Sequence, residues 1–122
     1  MGELPFEYIQ LTDAEAASLG EALVLTSGKA TKCGATATPQ FIAAASADAA
    51  TPGATIPAWR VDELQEWTTV SMATVATTLE GSKVTLHTDG LKVTATTTSG
   101  VFEISDTDGA TTTSNVRGRF RR

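Results

Sequence analysis

Few residues of this chain carry side chains suited to chemistry, and their spacing keeps them apart. The one histidine, His87, has neither a cysteine nor a second histidine at a ligand spacing, so it lacks the companions of a metal site. The one cysteine, Cys33, has no histidine at a readable spacing and is expected as an inert thiol at a strand end. Paired carboxylates occur at Asp62-Glu63, in a turn pattern, and at Asp106-Thr107-Asp108-Gly109. The second pair opens like a calcium loop, but no acidic residue follows Asp108 to supply the bidentate ligand that closes one. No glycine pattern sits between a strand and a helix to cradle a phosphate. No catalytic group, metal or cofactor is expected, and an enzyme is not the reading these residues favour.

The terminal run Arg117-Gly118-Arg119-Phe120-Arg121-Arg122 is the unusual local feature. On a strand, Val116, Gly118 and Phe120 point one way while Arg117, Arg119 and Arg121 point the other. One face packs and the other is a basic stripe. The stripe reads either as a charged edge that blocks sheet-to-sheet aggregation or as an ionic contact to an acidic partner or a neighbouring copy. Nucleic acid is disfavoured, because no aromatic platform interleaves with a broader basic patch.

The elements that must position these residues are strands. Val84 and Leu86 alternate with polar residues, Asp89-Gly90 makes a turn, and Leu91, Val93 and Ala95 alternate again. A two-residue type I′ loop there sets Thr88 opposite Leu91, Leu86 opposite Val93 and Val84 opposite Ala95, with His87 and Lys92 on the wet face. Ala22–Thr26 and Lys29–Cys33 flank a Ser27-Gly28 turn and read as another hairpin. Further strands are expected over 40–45, 55–61, 64–71, 101–105 and 115–121. Pro57 assigns 55–61 to an edge or a bulge. Residues 43–54 read as an exposed loop. Thr12-Asp13-Ala14-Glu15 offers a helical turn through Leu19, capped by Thr12 and stopped by Gly20.

Leu4, Pro5, Phe6, Tyr8, Ile9 and Leu11 form an extended, aromatic-bearing stretch that reads as a first edge strand or as an arm docking on another subunit. The expected fold is mainly β, with small β-barrel or β-sandwich units built from hairpins and an extended N-terminal arm. Its divisions are an arm over 1–20, a first β unit over 21–71, a connection over 72–81 and a second β unit over 82–122; alternatively 21–122 forms one domain.

Composition sets bounds. Leu, Ile, Val and Phe make up about a fifth of the 122 residues, at the margin for independent folding, so assembly would help to hold the fold. The net charge of −5 argues against nucleic acid as main partner, although four of the five arginines lie in the last six residues. The first residues lack the basic region and apolar run of a signal peptide, and no stretch reaches the length of a membrane span. A soluble, cytoplasmic place of synthesis is expected.

Three stretches carry a resemblance. They are Gly20-Glu21-Ala22-Leu23-Val24-Leu25 with Ser27-Gly28-Lys29, Thr31-Lys32-Cys33-Gly34 and Pro39; Ile56-Pro57-Ala58-Trp59-Arg60-Val61; and Glu80-Gly81-Ser82-Lys83-Val84-Thr85-Leu86 with Asp89-Gly90-Leu91-Lys92-Val93-Thr94. Over about residues 20–122 this pattern resembles the decoration (cement) proteins of tailed bacteriophages. The resemblance implies a β-rich virion protein that binds the outside of the head and stabilises the shell. Its partners would be the major capsid protein and copies of itself. It also implies an N-terminal arm that docks on the shell, a role residues 4–11 fit. The arginine-rich end maps onto no site of that family. A reading from another class is a carbohydrate-binding or adhesin-type β module of a tail, with Trp59 and Trp67 as its stacking platform.

Overall fold

The computed structural model describes residues 6–62, 65–109 and 113–121. It is mainly β: among the described residues there are ten strands and one 3-10 turn, Thr77–Leu79. No helix among them is long and apolar enough to cross a membrane. The chain divides into two compact units, Met1–Cys33 with Pro39–Val61, and Gly34–Thr38 with Asp62–Arg122. This differs from the expected division. The N-terminal stretch belongs to the first unit, and the strand at 67–71 belongs to the second.

The first unit contains β1 (Glu7–Gln10), β2 (Ala22–Thr26), β3 (Lys29–Lys32), β4 (Phe41–Ala43) and β5 (Thr55–Arg60), in the sheet order β1-β5-β4-β2-β3. The sheet curls until its ends meet. Leu11 bridges Ala30 in parallel fashion, and the Thr12 N–H donates to the Ala30 carbonyl at 2.9 Å. A barrel of five short strands encloses little space, which suits the alanines Ala17, Ala30, Ala43 and Ala58 that pack with Ile9, Leu11, Leu23, Phe41 and Ile56. The β2–β3 hairpin has the expected two-residue turn. Thr26 pairs with Lys29, and Ser27 and Gly28 both have positive φ (52° and 82°), the type I′ signature.

Two expectations fail here for identifiable reasons. Strand β5 is central, not an edge, despite Pro57. Along a strand a residue's N and C=O point to the same side, and those of Pro57 face the end of β4, where its carbonyl accepts the Ala44 N–H at 2.9 Å. The donor that proline lacks would have pointed past the last residue of β4, so the ladder loses little. The helical turn after Thr12 is also absent. The Thr12 hydroxyl donates to the Ala30 carbonyl, Ala14 sits at φ 63°, and Ala17 and Ala47 exchange backbone bonds of 3.0 and 2.9 Å. Barrel closure satisfies the backbone that a helix would have satisfied, and tertiary pairing outweighs a local cap. The 43–54 loop is tied down by the same pairing. Gly53 is required there, since a Cβ would lie 1.9 Å from the Leu11 carbonyl oxygen.

The second unit contains β6 (Trp67–Ser71), β7 (Lys83–Val84), β8 (Lys92–Val93), β9 (Phe102–Thr107) and β10 (Asn115–Phe120), ordered β7-β9-β10-β6-β8. A Leu86–Val93 bridge links the two ends of this sheet as well. That pairing is the expected register, and Val84, Leu86 and Val93 share the buried face. The turn differs from expectation: His87 donates to the Lys92 carbonyl, and residues 88–91 form a four-residue loop with Gly90 bonded back to His87. Asp89 accepts the Leu91 N–H at 2.9 Å, an Asx turn that makes the longer loop as good as the tight one. The ladder also ends early. Thr85 accepts from Thr94 but donates to Thr96, so Val84 pairs with Phe102 of β9 instead of with Ala95.

Hydroxyl groups hold the weakly patterned connection after β6. The Ser114 Oγ accepts the Val75 N–H, the Thr107 hydroxyl donates to the Val75 carbonyl, and the Ser71 Oγ accepts the Ser114 N–H while donating to the Ala73 carbonyl. Each satisfies a backbone group that burial would otherwise penalise. Beneath them, Phe120 meets Phe102 edge-on at 5.2 Å and Trp67 at 6.3 Å.

Candidate functional surfaces

The aromatic N-terminal stretch divides by parity. Ile9 and Leu11 point into the first unit and are buried in its core, so they are unavailable for the docking role expected of them. Tyr8 points outward and is 64 % exposed, and its ring meets that of Phe6 edge-on at 5.5 Å. Leu4 and Pro5 lie outside the described residues. The stretch over Glu7–Gln10 is therefore a strand of the barrel, hydrogen-bonded to β5, rather than a free arm.

Register sets two residues beside this stretch, Pro57 and the Trp59 that the sequence offered as a sugar-stacking side chain. Tyr8 pairs with Pro57, and one step further along the same register Phe6 comes level with Trp59, which is 37 % exposed. Phe6, Tyr8, Pro57 and Trp59 thus form an outward strip across β1 and β5. On the other face of the same two strands, over the core residue Phe41, the Glu7 carboxylate accepts two N–H bonds from Arg60 at 2.6 and 2.8 Å, and the Arg60 guanidinium lies over the Phe41 ring at 4.9 Å. The Arg60 bonds hold the Glu7 carboxyl below its ordinary value and raise that of the arginine. Strict alternation of Phe6 and Tyr8 against Ile9 and Leu11 was the available signal for this split, and Trp59 follows from the alternation of β5.

The arginine end is equally specific. Val116, Gly118 and Phe120 are buried and Arg117, Arg119 and Arg121 face outward, as the alternation predicts. Strand β10 is not an edge, however: β9 and β6 flank it. Nor is the face basic. Arg117 binds Glu66 at 2.7 Å and Asp106 at 3.2 Å, Arg119 approaches Glu66 at 3.7 Å, and Arg121 approaches Glu103 at 3.5 Å. Arg122 lies outside the described residues. Both readings of a free basic stripe are revised by these acids, which neighbouring strands place opposite each arginine.

A bulge makes this arrangement possible. Arg117 pairs with Asp106 but Gly118 pairs with Ile104, leaving Ser105 as an extra residue. Without it Asp106 would share the inward parity of Phe102 and Ile104; with it, Thr107 turns in and Asp106 turns out toward Arg117. Gly118 allows the close approach, because a Cβ there would stand 2.1 Å from the Glu103 carbonyl oxygen.

The remaining candidates are occupied. Asp108 accepts both the backbone N–H and the side-chain amide of Asn115 at 3.1 and 2.9 Å, and Asp106 is held by Arg117. No group of three or more His, Cys, Asp or Glu among the described residues is placed to hold a metal ion. His87 is half-buried beside Asp89, with Nδ1 accepting the Asp89 N–H at 3.2 Å. Burial raises the Asp89 carboxyl, but the Leu91 N–H, His87 and Lys92 outweigh it and hold the value low. Cys33 is buried, and burial pushes its thiol up to about 11, which keeps it protonated and unreactive at neutral pH. Trp67 packs edge-on against Phe120, so a stacking platform built from both tryptophans would have to do without it.

Comparison of the chain with known protein families, with curated proteins and with solved structures finds no match.

Proposed function

We propose that this protein is a capsid decoration protein, which binds the outer surface of a phage head and stabilises the shell. It would be made in the host cytoplasm and end on the virion surface, contacting the major capsid protein and neighbouring copies of itself. The observation that carries the reading is the outward strip of Phe6, Tyr8, Pro57 and Trp59. Three aromatic rings and a proline turned to one outward face have the composition of an interface core. The turn-and-strand pattern over about residues 20–122 adds support, because its residues form the hairpins around Ser27-Gly28 and Asp89-Gly90. A symmetric shell repeats each contact many times, so a small strip on each copy is enough. No catalytic group is required by this role.

The test is copy number, by quantitative mass spectrometry on purified particles of the source virus. A number comparable to that of the main shell protein is expected. A handful of copies per particle, or none, would overturn the proposal.

A further inference from the structure

The outer face of the second unit is a grid rather than a scatter of charges. Three outward positions of β9 and its continuation are carboxylates (Glu103, Asp106 and Asp108). Opposite them β10 carries nitrogen donors: Arg119 pairs with Glu103, Arg117 with Asp106, and Asn115 bonds Asp108. The third column, on the β6 side, is Glu66, Thr68 and Val70, with Thr68 opposite Arg117 and Val70 opposite Asn115. A groove of about 400 Å³ runs over the middle of this grid, with Asp106, Asn115, Arg117, Thr68 and Val70 among its lining residues. That volume lies within the range of small-ligand sites.

The chemistry of the lining selects the ligand class. The face holds four carboxylates (Glu66, Glu103, Asp106, Asp108) against three guanidinium groups (Arg117, Arg119, Arg121), so it offers no surplus positive charge to an anion. Phosphates and nucleic acid are therefore poor fits. A carboxylate beside a guanidinium does present a strong acceptor and strong donors side by side, already oriented by their mutual bond. Adjacent hydroxyls of a sugar ring, each both donor and acceptor, match that pair. The Asn115 amide and the Thr68 hydroxyl extend the polar row, while Val70 offers an apolar patch for ring C–H groups. The Ser105 bulge is what brings Asp106 into the row, and bulges commonly re-aim a side chain at a binding site.

We propose that this groove is a binding site for a neutral sugar ring, formed by Asp106, Arg117, Asn115, Thr68 and Val70. The site stands on the second unit alone and does not depend on the shell-binding role of the first. The experiment is titration of the ¹⁵N-labelled full chain with glucose, galactose, mannose and N-acetylglucosamine, and separately with inorganic phosphate. Expected are shifts confined to the amides of residues 68–70, 106 and 115–117 with at least one sugar, and none there with phosphate. Asp106→Asn, at an exposed position, should weaken binding about tenfold while the remaining spectrum stays that of a folded protein. Thr68→Val, a near-isosteric change, should weaken it by a smaller factor. The proposal is overturned if the folded protein shows no shifts with any of the four sugars, or if the shifts fall elsewhere. It is equally overturned if phosphate matches the sugars, or if Asp106→Asn binds as tightly as the unaltered chain.

Discussion

The two units distribute their aromatic residues in opposite ways. In the first, alanines fill much of the core around Phe41, while Phe6, Tyr8 and Trp59 lie on the outward strip. In the second, Phe102, Phe120 and Trp67 pack together inside, and the outer face carries paired charges and amides. Both sheets have five strands and both have their ends joined by a bridge, so topology does not explain the contrast. Its lesson is that apolar side chains in this chain are spent differently: on cohesion in the second unit and on an outward strip, which the proposed function makes adhesive, in the first.

The contrast is broken most directly from the inside. Phe102→Ala removes a ring that is 1 % exposed and touches Phe120, and should cost about 3–5 kcal/mol of stability, read by chemical denaturation. A cost below about 1 kcal/mol would mean that the aromatic cluster does not hold the second unit together. Tyr8→Ser sharpens the other side. It should change stability by no more than about 0.5 kcal/mol, because the side chain is mostly in water, yet weaken adsorption to heads by about tenfold or more. Unchanged adsorption would remove the strip from the interface.

The smallest effect expected is on acid sensitivity. The Glu7 and Asp13 carboxyls are both held below their ordinary values of 4.5 and 3.8, Glu7 by Arg60 and Asp13 by the Gly53 N–H and Lys29. A lowered carboxylate stabilises the fold above its ordinary value, and the contribution disappears as pH falls through the lowered one. Both carboxyls are about half exposed and screened by solvent, so the loss of first-unit stability below about pH 4 should be slight. Arg60→Gln should return Glu7 toward 4.5 in an NMR titration of its carboxyl carbon. No movement would mean that the bidentate pair is not populated in solution.

Much of this was legible in local pattern. The Leu86–Val93 register, the Ser27-Gly28 turn and the inward set Val116, Gly118 and Phe120 all follow from period-two alternation and turn chemistry, which act between near neighbours. The partners of distant strands were not legible. Nothing near Arg117 announces that Glu66 and Asp106 will flank it, because alternation fixes which face a residue takes and not which strand lies beside it. Barrel closure has the same origin: the Leu11–Ala30 bridge goes with the strand reading of the N-terminal stretch over the arm reading, and puts a seam where a helical turn was expected. The Ser105 bulge escaped because an extra residue leaves both flanking stretches looking regular. On the candidate surfaces, Phe6, Tyr8, Trp59 and Asp106 were singled out from sequence, but which residues share a face with them, Pro57 and Arg117 among them, needed register.

The short segment 34–38 lies in the second unit although the chain before and after it lies in the first. Its Ala35 carbonyl accepts the N–H of Leu86, a residue made much later in synthesis. The chain therefore enters the second unit, leaves it and returns, so a single cut after Val61 keeps every residue of the first unit but strips the second of 34–38. A display fusion built on 62–122 alone would carry an incomplete second unit, and insertions are better placed in the Ser27-Gly28 turn than between the units.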